Sequence, residues 1–295
     1  MYSVYTHAQQ FHIDELMAIA LLDKYFLDGK YNLYRINRDS PLILGAQLDI
    51  HSFVIDFGFI YDPHMLNFDH HQNDESLCWE DGTLYSSCGL VWSWLKNNNF
   101  LAQHMDKDTV LAFEKQVIKK VDRHDNGIEI WNDSAFLTMY NRKENQDEQF
   151  HKALNCAKEY LENVHFDIRG QISAKKNVLK AIEKSKEILD IVVCSSNITN
   201  ASCLIAEHSS KLLFIYPRTK DTWIIQSVAK DSNTPFELKC PSPLEWRGKK
   251  DNELVEESSI EGMMFCHKNG YLTVCKGTIE HAISVAKIII SHNIT

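Results

Sequence analysis

The chain has 295 residues, 44% of them hydrophobic and 24% charged, and its formal net charge at pH 7 is −9. This is an ordinary globular composition, and the length predicts two domains of about 100–200 residues each. The negative charge argues against indiscriminate nucleic-acid binding, which needs a basic surface, but a carboxylate-rich metal site that acts on nucleic acid is compatible with it.

The N-terminal part of the chain combines strand and helix patterns. Weak alternation over residues 1–6 predicts a first strand, and the run Leu16–Phe26, rich in Leu, Met and Ala, predicts a helix. Residues 31–36 and the apolar run His51–Gly58 predict two further strands. Because strands and helices follow one another in this way, the predicted fold class is α/β with a parallel or mixed sheet.

Helical patterns dominate the middle of the chain. Helices are predicted for residues 86–95, 104–121, 146–161 and 170–188. The last of these helices is rich in lysine, which indicates either a solvated face or an electrostatic role. We interpret residues 166–190 as a helix that connects two domains.

The C-terminal part predicts a second, smaller α/β domain. Short strands are predicted for residues 191–194, 211–216, 223–228 and 263–266, and helices for residues 201–209 and 279–290. The predicted organisation is therefore an N-terminal domain of residues 1–165, the connecting helix 166–190 and a C-terminal domain of residues 191–295.

The cysteine pattern and the lack of targeting signals predict a cytoplasmic protein without a membrane partner. None of the eight cysteines forms a Cys-x-x-Cys pair, which argues against structural zinc and for reduced thiols. The chain has no apolar run of about 18 residues that could span a membrane. Its N-terminus also lacks the basic-then-apolar pattern of a secretory signal.

The stretch Asp69-His70-His71 places one carboxylate beside two imidazoles, and Mn²⁺ accepts both kinds of ligand. Further candidate ligands lie near the ends of predicted strands or helices, and the full set is His7, His12, Asp14, Asp56, Asp69, His70, His71, Asp122 and Asp125. Ligands gather beyond the carboxyl ends of parallel strands, so these side chains are predicted to share one site. The alternative is that they are unrelated helix caps and surface histidines.

A centre with two cations needs them about 3.5–4 Å apart and therefore needs a carboxylate that bridges them. Asp56, alone at the end of a predicted strand, is the best-placed residue for this role. Two such cations would polarise a phosphoryl group and lower the pKa of a shared water molecule. The predicted chemistry is therefore hydrolysis of a phosphate ester.

The motifs around these residues resemble those of the Myg family, which belongs with the DHH phosphoesterase superfamily. In the N-terminal part the resemblance rests on Thr6-His7-x-x-x-Phe11-His12-x-Asp14-Glu15, Val54-Ile55-Asp56-Phe57-Gly58, Tyr61-Asp62-Pro63, Phe68-Asp69-His70-His71-Gln72, Ser86-Ser87-x-Gly89-Leu90 and Val121-Asp122-x-x-Asp125-Asn126-Gly127. It continues through Trp223-x-x-Gln226, Glu245-Trp246-Arg247-Gly248 and Phe265-x-His267-x-x-Gly270-Tyr271, and so covers nearly the full length.

The resemblance implies a DHH-type sheet domain with helices on both faces and a divalent-metal-dependent hydrolase. The superfamily includes manganese-dependent pyrophosphatases, RecJ-type exonucleases and oligoribonucleases, and Myg relatives are associated with 3′–5′ exonuclease activity on RNA. The implied cofactor is a pair of Mn²⁺ ions, with Mg²⁺ as an alternative, and the implied partner is RNA or an oligonucleotide.

The resemblance also implies a role for each residue. His7, His12 and Asp56 would hold one cation, and Asp14, Asp56, His70 and either Asp122 or Asp125 would hold the other. Asp69 would orient His70 from outside the ligand shell, and His71 would face the scissile phosphate. Asp56, Asp69 and His71 are thus the predicted catalytic residues, and the choice between Asp122 and Asp125 stays open.

Two features depart from the family pattern. His12 stands where many members of the superfamily have aspartate, which reduces the negative charge of the site. The segment Thr273-Val274-Cys275-Lys276 replaces a Gly-Gly-His sequence that relatives use in substrate contact. Without those glycines, close approach of the backbone to a phosphate is harder.

Two basic residues of the C-terminal domain are candidate substrate ligands. Arg247 could clamp a phosphate through two hydrogen bonds, and Lys276 could add a point charge. The alternative for Arg247 is a structural turn in which Trp246 packs and the arginine lies at the surface.

The leading functional prediction is a manganese-dependent phosphoesterase of the 3′–5′ exonuclease type, which acts on RNA or short oligonucleotides. One alternative is a hydrolase of a small phosphorylated metabolite, such as a small phosphate ester, or of pyrophosphate, which the acidic composition and the missing Gly-Gly-His would favour. Another is a non-catalytic scaffold protein whose metal site only stabilises the fold.

Overall fold

The computed structural model describes residues 1–72 and 75–293, which form two compact units, Met1–Arg169 and Gly170–Thr295. Five strands form the sheet of the first unit: β1 (Tyr2–His7), β2 (Tyr31–Ile36), β3 (Ser52–Ile55), β4 (Tyr61–Asp62) and β5 (Asn67–Phe68). Their order is β2-β1-β3-β5-β4, and every neighbouring pair is parallel except the antiparallel pair β4 and β5. The predicted mixed α/β sheet is therefore confirmed.

The helices of the first unit are α1 (Ile13–Leu22), α2 (Leu42–Gln47), α3 (Ser87–Asn97), α4 (Lys107–Phe113), α5 (Lys119–Asp125), α6 (Ala135–Thr138) and the first part of α7 (Gln146–Lys184). A π-helical segment, Asp23–Leu27, continues α1, and a second one, Glu114–Ile118, joins α4 to α5. Short 3₁₀ segments occur at Phe100–Gln103 and Asn132–Ser134.

Both faces of the first sheet are covered by helices. Successive side chains of a strand point to opposite faces. Phe53 of β3 packs edge-on against Phe26, which follows α1, and against Trp94 of α3. The next residue, Val54, packs in a buried cluster with Ala46 of α2. Helices α1 and α3 thus lie on one face and α2 on the other, as the resemblance implied.

Helix α1 has no polar face, and all ten of its residues are buried. A helix that is apolar on all sides must be surrounded by protein. Its only charged residues are Asp14 and Glu15 in the first turn, and both are fully buried. The packing of α1 therefore forces two carboxylates into the interior.

Helix α7 is one continuous element of 39 residues, where the sequence pattern predicted two helices, 146–161 and 170–188. No proline interrupts the intervening residues, and one glycine, Gly170, costs a helix only about 1 kcal/mol. The boundary between the two compact units falls inside this helix.

The sheet of the second unit contains β6 (Ile191–Val193), β7 (Leu213–Thr219), β8 (Thr222–Ser227), β9 (Met263–Cys266) and β10 (Leu272–Lys276) in the order β6-β7-β8-β10-β9. The pair β6 and β7 is parallel, and the other pairs are antiparallel. The helices are the remainder of α7, α8 (Ala201–His208), α9 (Asp251–Ser258) and α10 (Ile279–His292), with a 3₁₀ turn at Leu244–Trp246.

Strand β10 and helix α9 had not been predicted. Strand β10 contains the segment 273–276 that departs from the pattern expected for the family, and its residues Thr273, Val274 and Cys275 are buried between β8 and β9. Among the described residues all eight cysteines are free thiols.

No helix within residues 1–72 and 75–293 combines the length and the apolar character that a membrane crossing requires.

Candidate metal centre

Three parallel strands of the first sheet end in polar residues at the same edge. His7 is the last residue of β1, Asp56 follows β3, and Asp69 and His70 follow β5. Since β1, β3 and β5 run in parallel, their carboxyl ends meet, and the side chains that follow them are brought together.

The start of α1 brings three more potential ligands to this edge. His12 precedes the helix in an extended conformation and forms no capping hydrogen bond, so its imidazole is available. Asp14 and Glu15 follow in the first turn, where the positive end of the helix dipole favours carboxylates. The side chain of His12 is about half exposed, whereas both carboxylates are buried.

The two carboxylate oxygens of Asp56 face two different groups of histidines. Oδ2 lies 3.2 Å from Nε2 of His7 and 3.9 Å from Nδ1 of His12. Oδ1 lies 3.2 Å from Nε2 of His70 and 3.9 Å from Nδ1 of His71. This is the arrangement that a bridging carboxylate requires, with one oxygen for each side of the centre.

The backbone at Asp56 is held in the left-handed region, with φ +63°. Such a conformation is uncommon for residues other than glycine, although aspartate tolerates it better than most, and it recurs at functional sites. The turn continues through Gly58, whose φ is +97° and whose carbonyl accepts a hydrogen bond from Gln47 at 3.0 Å. The backbone therefore turns sharply at the end of β3. The side chain of Asp56 is also held by Ser87, whose Oγ donates to Asp56 Oδ1 at 3.3 Å.

A second group of ligands surrounds His70. Its Nε2 lies 3.7 Å from Asp14 Oδ2 and 3.6 Å from Asp125 Oδ2, in addition to its contact with Asp56. Asp125 is the last residue of α5, so the sheet edge, α1 and α5 each contribute a side chain to this group.

Glu15 is a potential ligand that the sequence analysis did not include. Its Oε2 lies 2.5 Å from Nε2 of His7. Two adjacent carboxylates, Asp14 and Glu15, open a helix that is otherwise apolar. That pattern was the available signal, because burial of such a helix also buries both acids.

Asp122 and Asp125, which the sequence could not separate, have different surroundings. Asp122 is completely buried and accepts four hydrogen bonds, from Trp79 Nε1 (2.6 Å), from the backbone nitrogens of Ser86 and Gly89 (both 3.1 Å) and from Ser86 Oγ (2.6 Å). Its oxygens are thus already occupied, whereas Asp125 faces His70. Asp125 is therefore the better-placed candidate ligand of the two.

Asp122 instead fixes the beginning of α3, where the first backbone N–H groups have no partner inside the helix. Gly89 is the third residue of α3, and a Cβ atom there would lie 2.3 Å from Asp122 Oδ2. The motif glycine thus allows the carboxylate to approach the helix. The N–H group of Ser87, in the same turn, donates to Asp14 Oδ2 at 3.3 Å, so this helix end also stabilises the metal centre.

Asp69 contacts a different histidine from the one expected. The resemblance implied that it orients His70, but its Oδ1 accepts from His71, at 2.6 Å from Nδ1 and 3.0 Å from the backbone nitrogen. Its Oδ2 accepts from the backbone nitrogen of Phe59 at 2.6 Å. These three hydrogen bonds hold the buried carboxylate in place. Phe59 can donate one of them because the tight turn after β3 brings its backbone nitrogen close to Asp69.

Divalent cations fit this centre. Asp14 Oδ1 and Glu15 Oε1 are buried without a hydrogen-bond partner, although buried polar atoms in proteins are normally paired. Three groups bring their ligand atoms within 4.8 Å of one another: His7, His12, Glu15 and Asp56; Asp56, His70 and His71; and Asp14, His70 and Asp125. Carboxylate oxygen and imidazole nitrogen are both donors that Mn²⁺ accepts.

The pKa values of three side chains in the centre are raised. Burial alone would lower the pKa of His7, but its hydrogen bond to Asp56 and its contact with Glu15 raise it to about 10. Burial raises the pKa of Glu15 to about 8, and it also raises the pKa of Asp14 well above its usual value. The raised pKa values favour the protonated forms of His7, Glu15 and Asp14, whereas a cation requires their unprotonated forms.

We expect cation binding to release these protons, so that Mn²⁺ affinity rises between about pH 6 and about pH 8. The affinity rises with pH because the pKa values are raised, and each proton that a cation must displace becomes easier to remove as the pH increases. Calorimetric titration in buffers of different ionisation enthalpy measures the released protons directly. Binding that is independent of pH and releases no proton would contradict this assignment.

The chain is similar to known proteins over nearly its whole length. The sequence model of MYG1_exonuc, described as "Uncharacterised protein family (UPF0160)", matches residues 3–290. The chain belongs to this family. A MYG1 protein of Caenorhabditis elegans is 26% identical over 332 residues, which cover 96% of this chain and 93% of the relative. The human protein named MYG1 exonuclease is 28% identical over 333 residues, which cover 96% of this chain and 84% of the relative.

Among solved structures, PggH of Vibrio cholerae, a pGpG-specific phosphodiesterase, aligns over 99% of this chain and 98% of its own. The TM-score is 0.32 and the sequence identity is 12%. This likeness is too distant to support a functional argument. The full-length match to the MYG1 family confirms the family that the sequence motifs indicated.

Two residues in the C-terminal part of this MYG1-family chain were predicted to contact substrate. Arg247 is half-buried, and its Nε donates to the carbonyl of Ser242 at 2.8 Å. Gly270 packs against the guanidinium group, since a Cβ there would lie 2.6 Å from Nε. Lys276 is exposed at the end of β10, with Nζ 3.7 Å from Asp221 Oδ2. Their role in substrate contact stays a prediction.

Proposed function

We propose that this chain is a divalent-metal-dependent phosphoesterase that acts as a 3′–5′ exonuclease on RNA or short oligonucleotides, with Mn²⁺ as its preferred cation and Mg²⁺ as a substitute. The observation that carries the proposal is the position of Asp56. Its two oxygens face two separate ligand groups, which is the geometry of a centre with two cations.

The side chains divide into two proposed ligand sets around the shared carboxylate. His7, His12, Glu15 and Asp56 would hold one cation, and Asp14, Asp56, His70 and Asp125 would hold the other. When bound, such cations polarise a phosphoryl group and lower the pKa of a water molecule. The chain itself supplies the spacing, because strand ends and helix termini of the first unit carry these ligands.

His71 is the proposed residue for proton transfer. Its Nδ1 is held by Asp69 at 2.6 Å, and this fixes the tautomer with the proton on Nδ1. Burial alone would raise the pKa of Asp69, but its hydrogen bonds from His71 and Phe59 keep it below the usual value, so the carboxylate stays ionised. The imidazole is partly exposed, so its Nε2 can contact a phosphate oxygen of the substrate or exchange a proton with that oxygen.

We expect Asp69→Asn to reduce kcat by about 10²-fold or more and to change the stoichiometry of bound Mn²⁺ little, because an amide no longer fixes the His71 tautomer. His71→Ala should show the same pattern. His64→Ala, which replaces an exposed histidine close in sequence, serves as the control. Equal kcat values for Asp69→Asn and the unmodified protein would contradict the role of this pair.

The family supports the enzymatic part of the proposal. Relatives that align over most of their length are named exonucleases. An exonuclease is a hydrolytic phosphoesterase, which is also the chemistry proposed for the candidate metal centre. The RNA substrate, the choice of manganese and the direction of cleavage belong to the proposal.

The test is the degradation of a single-stranded RNA labelled at its 5′ end by the purified full-length chain, with Mn²⁺, Mg²⁺ or EDTA. We expect a manganese-dependent ladder of products that shorten from the 3′ end. A DNA strand of the same sequence and an RNA blocked at its 3′ end are the matched substrates. Cleavage in EDTA, or none with any cation, would overturn the proposal.

A small phosphate ester or pyrophosphate is the second candidate substrate. The observation that favours it is β10, which is paired with β8 and β9 at the position where the resemblance implied a Gly-Gly-His sequence. The same enzyme preparation should therefore be tested with pyrophosphate and sugar phosphates. A higher kcat/KM for these compounds than for oligonucleotides would replace the RNA assignment. Metal that raises the melting temperature, without any hydrolysis, would instead indicate a scaffold.

A further inference from the structure

The sheet of the second unit has a polar cavity on the face that carries α8. Phe214 of β7, Gln226 of β8 and Leu272 of β10 are direct neighbours across three strands, so their side chains lie on one face. Tyr216, two residues after Phe214, shares this face, and the two rings stack with their centroids 5.8 Å apart. Phe214 and Tyr216 pack against α8 through Ala201 in one buried cluster.

This face forms the floor of a cavity of about 780 Å³, which we call the amide pocket. Its walls are the segment before α8, with Asn200, the loop that contains Phe236, and the turn between β9 and β10, with Asn269 and Tyr271. The size lies within the range of about 300–1,000 Å³ that is typical of small-molecule sites. The pocket belongs entirely to the unit Gly170–Thr295.

The lining of the amide pocket carries no charge. In the described part of the chain, its side chains are aromatic, amide, hydroxyl, thiol or aliphatic, and no Asp, Glu, Lys, Arg or His is among them. A phosphate group placed inside would lose its hydration without gaining a cationic partner. The pocket therefore favours an uncharged ligand over a pyrophosphate or a sugar phosphate.

The amide groups can hydrogen-bond to such a ligand. Gln226 Oε1 accepts a hydrogen bond from the Tyr216 hydroxyl at 3.3 Å, so the amide nitrogen of Gln226 is left to donate. Asn200 and Asn269 are exposed at the rim, and each amide offers both donors and an acceptor. Paired donors and acceptors of this kind match the edges of nucleobases.

Aromatic rings at the pocket supply surfaces for stacking. Phe236 is 94% exposed although it is a large apolar residue. Tyr271 also lines the pocket, half-buried, with its ring 4.4 Å from that of His267. Proteins that bind single-stranded nucleic acids stack bases on exposed aromatic side chains of this kind.

We propose that the amide pocket binds a nucleobase, with Gln226 as a hydrogen-bond donor to the base edge and Phe236 as the stacking surface. This inference rests on the proposed function in one respect: the base is taken to belong to the oligonucleotide substrate. Binding of a base does not depend on the metal centre, because a nucleoside carries no phosphate for the cations to hold.

The first experiment is calorimetric titration of the full-length chain with adenosine and with uridine, in the presence of EDTA, with ribose 5-phosphate as the probe that lacks a base. We expect the nucleosides to bind and ribose 5-phosphate not to bind. Phe236→Ala and Gln226→Glu should each weaken nucleoside binding about tenfold. Glutamate keeps the oxygen that accepts from Tyr216 and removes the donor, and the exposure of Phe236 makes its loss harmless to folding.

Asn252→Ala on the exposed side of α9 is the matched control and should bind nucleosides like the unmodified chain. The absence of nucleoside binding, or equal affinities for Phe236→Ala, Gln226→Glu and the control, would overturn the inference.

A kinetic experiment separates this inference from the proposed function. Both variants should raise KM for a normal oligonucleotide about tenfold and should leave KM for an abasic oligonucleotide unchanged. If nucleosides bind as expected but no phosphodiester is cleaved, the proposed function is contradicted and the assignment of base binding to the amide pocket is supported. If the variants cleave oligonucleotides with the same KM as the unmodified chain, binding of a substrate base in the amide pocket is contradicted and the proposed function is supported.

Discussion

Asp56→Ala is expected to lower kcat/KM for phosphodiester hydrolysis on the order of 10³-fold or more, because it removes a carboxylate whose two oxygens face different ligand groups. The bound manganese should fall from two ions to one or none per chain. Steady-state kinetics and elemental analysis of the same preparation measure both effects.

Asp56→Asn separates charge from backbone shape. Asparagine tolerates the left-handed conformation at this position, with φ +63°, so the turn after β3 should be preserved while one oxygen and the negative charge are lost. Asp108→Asn on the exposed first turn of α4 is the control. An Asp56→Asn variant with full activity and two bound ions would show that the carboxylate does not bridge them.

The pair Asp122 and Asp125 should give opposite results when each is replaced by alanine. Asp122→Ala leaves the buried N–H groups of Ser86, Gly89 and Trp79 without an acceptor, so the free energy of unfolding should fall by about 3 kcal/mol or more. Asp125→Ala should leave the stability of the cation-free protein nearly unchanged and should weaken metal binding at least about 100-fold.

Chemical denaturation in EDTA measures the first effect, and calorimetric titration with Mn²⁺ measures the second. Each variant is the control for the other, because the two residues lie three positions apart at the end of the same helix. A stable Asp122→Ala protein that has lost its metal would reverse our assignment of the ligand.

Much of the metal centre could be predicted from the sequence because its residues follow apolar strands. His7, Asp56 and Asp69 each end a short run that has the composition of a buried strand. Parallel pairing then brings such positions to one edge, whatever the detailed packing. The prediction of a mixed α/β sheet was therefore correct, and it placed these residues at the correct edge.

The sequence did not distinguish Asp122 from Asp125 as a candidate ligand, because they are three residues apart and occupy the same side of a helix. The two carboxylates differ in how deeply they are buried. Asp122 lies one turn earlier, against the start of α3, where Gly89 leaves room for its carboxylate. Only the tertiary packing of α3 and α5 determines which acid is enclosed and which one faces His70.

The partner of Asp69 and the role of Glu15 also depend on tertiary geometry. Asp69 could have bonded to either adjacent histidine, and the turn that brings Phe59 to its second oxygen orients it towards His71. Glu15 reaches His7 because α1 is buried on every side, a property that its apolar composition indicated. The prediction of two separate helices at 146–161 and 170–188 was wrong, because the residues between them continue α7 without a break.

Anomalous scattering at the manganese edge from crystals of the Mn²⁺-loaded full-length chain is the most direct measurement of a two-cation centre. We expect two peaks about 3.5–4 Å apart, one on the side of Asp56 Oδ2 and His7 and the other on the side of Asp56 Oδ1 and His70. A single peak, or two peaks that do not share Asp56 as a ligand, would contradict the central claim.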